Sequence, residues 1–196
     1  MVKIGLTGGI ATGKSTVGKL LRQKGVVVVS SDELSHQEMS PDGAAYHRIL
    51  TEFGPEILTA DGKIDRRILG GIVFKDEVAR RKLEQIVHPL VIKGIRDSFE
   101  HYSKLGVPIV VVEVPLLFEV GWMDLFDQIW VVTSSLERQL QRISKRDGLT
   151  EEEAKKRITS QLPLEKKEEQ ADVIIKNNNG LDSLEKQVSI LLRTLE

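Results

Sequence analysis

The chain of 196 residues sets 28 Lys and Arg against 29 Asp and Glu, for a net charge of −1, and contains no cysteine. That balance excludes a global basic field for nucleic acid and an acidic disordered tail, and the missing thiols exclude disulfides, thiolate metal sites and thiol nucleophiles. The longest apolar runs, 26–29 and 107–112, are far too short to span a bilayer, and the N-terminus opens directly on a strand pattern with no signal segment, so the chain reads as cytoplasmic and independent of membranes.

The first apolar run, residues 2–6, is followed by Gly8-Gly9-Ile10-Ala11-Thr12-Gly13-Lys14-Ser15 and then by an amphipathic pattern carrying Val17, Leu20 and Leu21. A strand, a glycine-bounded loop ending in Lys-Ser and a helix make up a phosphate-binding (Walker A) loop. The glycines let successive N–H groups turn inward as a nest for phosphate oxygens, and the helix dipole points its positive end at the same anion. Lys14 reaches the β and γ phosphates, and Ser15 offers its hydroxyl to Mg²⁺. A nucleoside triphosphate, ATP with Mg²⁺, is the expected ligand.

Further β-branched runs at 26–29, 107–112, 129–132 and 173–175 show no clean alternation, as expected of strands buried on both faces. With helical patterns between them they predict a five-stranded parallel sheet in a three-layer α/β sandwich with right-handed crossovers. Asp32 follows the second strand directly, where the crevice of such a sheet takes ligands, so it is a candidate general base or metal partner. The alternative is N-cap of a helix starting near Glu33.

Residues 32–104 hold no strand pattern and read as several helices separated by Pro41-Asp42-Gly43, Phe53-Gly54-Pro55 and Ala60-Asp61-Gly62. Within them His88-Pro89 predicts a junction, the proline starting a helix and the histidine displaced from regular structure. The third strand ends at Glu113, which is either an acidic partner of Mg²⁺ or a solvent-facing strand end. The segment Pro115-Leu116-Leu117-Phe118-Glu119 then turns the chain.

Residues 135–170 are highly charged and helical, with capping boxes expected at Ser134 with Glu137 and at Thr150 with Glu153, and a break at Asp147-Gly148; they read as a mobile flap. Arg138, Arg142 and Arg146 recur every four residues along one helix face, where an anion would relieve their mutual repulsion. The competing reading pairs them with the acids from Glu151 onward. Asn177 to Gly180 form a turn, and the last helix, 181–195, is expected to be capped by Asp182 with Glu185 and to bury Leu184, Val188, Leu191 and Leu192.

These features describe a small P-loop kinase whose acceptor is open. The strings Leu6-Thr7-Gly8-Gly9-Ile10, Thr12-Gly13-Lys14-Ser15-Thr16, Asp65-Arg66, Ile72-Val73-Phe74, Leu83-Glu84, His88-Pro89, Pro115-Leu116-Leu117-Phe118-Glu119, Arg146-Asp147 and Ala171-Asp172-Val173-Ile174 resemble the dephospho-CoA kinase family along essentially the whole chain. The resemblance implies transfer of the γ-phosphate of ATP to the ribose 3′-hydroxyl of dephospho-CoA, the last step of coenzyme A synthesis. It implies a P-loop core at 1–31, 105–134 and 171–196, an acceptor-binding helical region at 32–104 and a lid at 135–170. Gly8, Gly9 and Ala11 to Thr16 would hold ATP, with Arg138, Arg146 and Asn177 beside it, and Arg142 would act from the lid. Asp32 would take the hydroxyl proton, while Arg66, His88, Pro115, Leu116, Leu117 and Glu119 would line the acceptor pocket. The family commonly has Asp-Ala-Asp where this chain has Ser30-Ser31-Asp32, and often Gly-Ser where it has Ala11-Thr12. A nucleoside monophosphate kinase and an ATP-dependent regulatory switch are the rival readings; neither nucleic acid nor an obligate protein partner is implied.

Overall fold

The computed structural model describes residues 1–195. The chain divides into two compact units, one of 1–29 with the stretch from Tyr102 on, the other Ser30–His101.

The first unit is built on strands β1 (Val2–Gly8), β2 (Val27–Ser30), β3 (Ile109–Glu113), β4 (Gln128–Thr133) and β5 (Val173–Lys176) in the order β2-β3-β1-β4-β5. β1 runs parallel to β3 and β4, and β4 to β5, with Leu6 beside Glu113 and Gly8 beside Val132. Parallel pairing sets the C-terminal ends of these strands on one edge, where the loops that leave them gather. Helices α1 (Lys14–Gln23) and α9 (Leu181–Arg193) bury Val17, Leu20, Leu21, Leu184 and Val188 against Ile4, Leu6, Val111, Trp130 and Ile175. Each such side chain stabilises the fold by roughly 1.5–3 kcal/mol through transfer from water, an upper estimate for the folded-minus-unfolded difference.

In the same unit α6 (Leu136–Asp147), α7 (Glu151–Thr159) and α8 (Leu164–Glu169) follow β4. The Thr150–Glu153 capping box is present, and Gly148 at φ 69° ends α6 as expected. Two cap assignments are corrected. The N-cap of α6 is Ser135, accepting from Arg138 N, not Ser134, whose Oγ is buried with no hydrogen-bond partner among the described residues. The N-cap of α9 is Gly180; Asp182 lies inside the first turn, where it meets the helix dipole.

The second unit consists of α2 (Ser31–Glu38), α3 (Tyr46–Phe53), α4 (Arg66–Lys75) and most of α5 (Glu77–Lys104), with one isolated bridge, Leu58 to Ile64. Asp65 caps α4 by accepting from Arg67 N and Ile68 N. The expected junction at His88-Pro89 is absent: α5 runs through it unbroken for 28 residues. An interior proline costs about 3 kcal/mol, but α5 buries Ile86, Val87, Val91, Ile95 and Phe99 on both sides of it, which outweighs that cost.

Candidate active site

The loop between β1 and α1 has the strained backbone that a phosphate nest requires. Gly13 sits at φ 102°, and a Cβ there would lie 2.1 Å from Asn177 Nδ2. Ala11, at φ 58°, is the one non-glycine residue with positive φ among the described residues. Thr12 N and its hydroxyl both donate to Gly9 O, at 3.3 and 2.9 Å, which closes the loop on itself. The amides of Ala11, Gly13, Lys14 and Ser15 meet no protein acceptor among the described residues, leaving Gly13 to Ser15 as consecutive donors at the positive end of α1, with Ala11 before them.

Lys14 Nζ lies 3.3 Å from Glu113 Oε2, and Arg22 Nη1 3.1 Å from Glu113 Oε1. Glu113 is therefore a buried, doubly paired carboxylate and not a solvent-facing strand end. Gly18 makes room for it, since a Cβ there would approach Oε1 to 2.0 Å. Hard oxygens from Ser15 and Glu113 suit Mg²⁺, which keeps most of its water and needs few protein ligands.

The three arginines expected to act together are divided. Arg142 turns to the loop itself: Nη1 donates to Ala11 O and Thr12 O at 3.0 Å each, and Nη2 to Asn177 O at 3.2 Å. Asn177 Nδ2 adds a 2.8 Å bond to Thr12 O. Burial first, then the charge of Arg138, push the Arg142 guanidinium below its ordinary range. Arg146 is bound instead to Asp147, which also receives Arg157, and this network holds the Asp147 carboxyl low. The acids of α7 pair with its own lysines, Glu151 with Lys155 and Glu152 with Lys156.

Sequence reasoning passed over Gln161 and Lys167. Gln161 Oε1 accepts from Ile10 N at 3.0 Å, inside the phosphate loop. Lys167, fully buried, lies 2.7 Å from Glu119 Oε1, an ion pair off the angle of a hydrogen bond. The same oxygen accepts from Leu162 N at 3.0 Å. Glu119 is thus tied to the 161–167 segment. Of its neighbours, Leu117 is buried and Leu116 exposed, while Pro115 O accepts from Thr7 Oγ1. A charged residue in a six-residue helix carries no sequence signal of burial, which explains the omission of Lys167.

In the second unit the N-cap of α2 is Ser30, its Oγ accepting from Glu33 N at 3.2 Å. Asp32 is freed from the capping alternative and stands exposed in the first turn of α2. Arg66 makes a close contact with His36. His88 lies within α5, its imidazole pushed below the ordinary range by burial, against a smaller opposing effect of Glu84.

A phosphate loop on a β2-β3-β1-β4-β5 parallel sheet, with a lysine at its end and arginine behind it, defines the class of P-loop phosphotransferases. The sequence profile of the dephospho-CoA kinase family matches residues 2–183. The dephospho-CoA kinase of Shouchella clausii is 43% identical over 187 residues, 95% of each chain. That of Symbiobacterium thermophilum is 45% identical over 190 residues, 97% of this chain and 80% of the relative. Among solved structures, the dephospho-CoA kinase from Campylobacter jejuni superposes with a TM-score of 0.74 at 32% identity, covering 98% of this chain and 96% of that one. The protein TT1252 from Thermus thermophilus reaches 0.83 at 35%, covering 100% and 98%. Shikimate kinase from Acinetobacter baumannii, at 18% identity and 0.55, shares the fold. The chain belongs to the dephospho-CoA kinase family.

Proposed function

We propose that this chain transfers the γ-phosphate of ATP to the ribose 3′-hydroxyl of dephospho-CoA, releasing CoA and ADP. The observation that carries the reading is the set of amides at Ala11, Gly13, Lys14 and Ser15 without a protein acceptor among the described residues, heading α1 in a chain whose residues 2–183 match this family.

The loop amides receive the phosphate oxygens, and Lys14 leaves Glu113 for the β and γ phosphates. The Ser15 hydroxyl would hold Mg²⁺ with ATP, and the ion would supply further neutralisation of the phosphoryl charge. The acceptor oxygen forms a bond to the γ-phosphorus as the bond from that phosphorus to the β,γ-bridging oxygen breaks, and the hydroxyl proton passes to Asp32. Arg138 and Arg142 offset charge on the nucleotide, although Arg142 also braces the loop. We assign 32–104 to the acceptor, with Arg66 and His88 among its contacts, and 135–170 to a lid. The chain works in the cytoplasm; no helix among the described residues is long and apolar enough to cross a membrane.

A coupled assay with MgATP and, in turn, dephospho-CoA, AMP, UMP and no acceptor tests the reading. ADP formation that depends on dephospho-CoA is expected; turnover with a monophosphate, or tight ATP binding without acceptor-dependent turnover, refutes it.

A further inference from the structure

The phosphate loop is held from outside by a residue with no place in the reaction above. Gln161, between α7 and α8, presents Oε1 to the Ile10 amide at 3.0 Å and so removes one donor from the nest. This bond fixes the peptide plane entering Ile10, and that plane aims the next amide, Ala11, whose φ of 58° is already forced. The carboxamide is itself anchored. The adjacent Leu162 amide donates to Glu119 Oε1, and that oxygen faces the ammonium of Lys167, a side chain with 0% exposure. A charge this deeply buried is tolerated only when paired, so Lys167 confines Glu119, Glu119 confines Leu162, and Gln161 is delivered to Ile10.

We propose that Gln161 is a positioning residue for the nucleotide, and that the ion pair of buried Lys167 with partly exposed Glu119 exists to hold its carboxamide on the Ile10 amide. Gln161 thereby sets which loop donors face the polyphosphate. The proposal rests on the reading of the loop as an ATP site, but half of its test is made without nucleotide.

Amide hydrogen exchange at Ile10, followed by NMR on the nucleotide-free full chain, reads the contact directly. Gln161→Ala is expected to speed exchange at Ile10 about three- to tenfold, the equivalent of one neutral hydrogen bond, while Val111 and Val131 in the sheet stay unchanged. Gln161→Glu keeps an acceptor and should retain the protection. The dissociation constant of a non-hydrolysable ATP analogue with Mg²⁺ should rise about three- to tenfold in Gln161→Ala, with KM for ATP rising and kcat nearly constant. Lys167→Met should also deprotect Ile10. Should that variant fail to fold, the pair Lys167→Met with Glu119→Gln leaves no buried charge unpaired but abolishes the ion pair that confines residue 119, and it too is expected to deprotect Ile10; full protection of Ile10 there overturns the role given to the pair. Unchanged Ile10 exchange in Gln161→Ala overturns the proposal, and so does faster exchange with unaltered affinity for the analogue. If the wild-type chain bound no analogue, the ATP reading would fail instead, and the exchange comparison would stand.

Discussion

Replacing Arg142 by Met separates two roles that one guanidinium could have, a counter-charge for phosphate and a brace for the loop. Three charge-assisted bonds, to Ala11 O, Thr12 O and Asn177 O, join α6 and the turn after β5 to the phosphate loop. Hydrogen bonds of a charged group are each worth about 1.5–3 kcal/mol. The side chain is half-buried and its bonds share one donor group, so solvent screening and non-additivity reduce the sum to about 2–4 kcal/mol. In a chain of this size that corresponds to a fall in Tm of roughly 4–16 °C. Calorimetry of the nucleotide-free protein reads this loss before any phosphate is present. Arg142→Lys, which keeps the charge but offers no planar fork, should recover only a small part. A Tm within about 1 °C of wild type, with kcat alone reduced, would show that the carbonyl contacts contribute nothing and that Arg142 serves the phosphate only.

Asp32→Asn should leave affinity for an ATP analogue within about twofold while lowering kcat by roughly 10²- to 10⁴-fold, the span of a lost general base; wild-type turnover removes Asp32 from the mechanism. Ala11→Gly relieves a left-handed alanine at φ 58°, worth about 1–2 kcal/mol, against about 0.5–1 kcal/mol of added chain entropy, so a small rise in unfolding free energy is expected in urea titration. A loss of stability would contradict the strain argument. His88 has a folded pKa below its ordinary 6.5, so the unfolded chain binds more protons once the pH drops under that value, and stability falls with it. His88→Gln should flatten the decline of Tm as the pH falls below His88's ordinary 6.5, whereas equal slopes in the two proteins would rule out that linkage.

The strands and the phosphate loop were legible because their signals are local: continuous β-branched runs for a sheet covered on both faces, and glycines spaced for a nest. The Thr150–Glu153 cap was legible for the same reason. Neighbouring capping residues were not, since Ser134 and Ser135 offer the same hydroxyl and only the path of the chain into α6 chooses between them. Pro89 misled because a local rule was applied where apolar burial along 28 residues decides the outcome. Glu113 was found as a strand-end acid, yet its two cationic partners lie 99 and 91 positions earlier, Lys14 and Arg22.

By itself, then, the sequence determined the layered α/β architecture, the polyphosphate loop and the membership of a kinase family, because periodicity and motif spacing act over a few residues. Tertiary structure alone decided that Arg142 and Asn177 grip loop carbonyls, and that a glutamine and an entombed lysine stand behind Ile10. Those pairings join residues far apart in the chain through the angles at which helices leave a twisted sheet, and no local pattern encodes such angles.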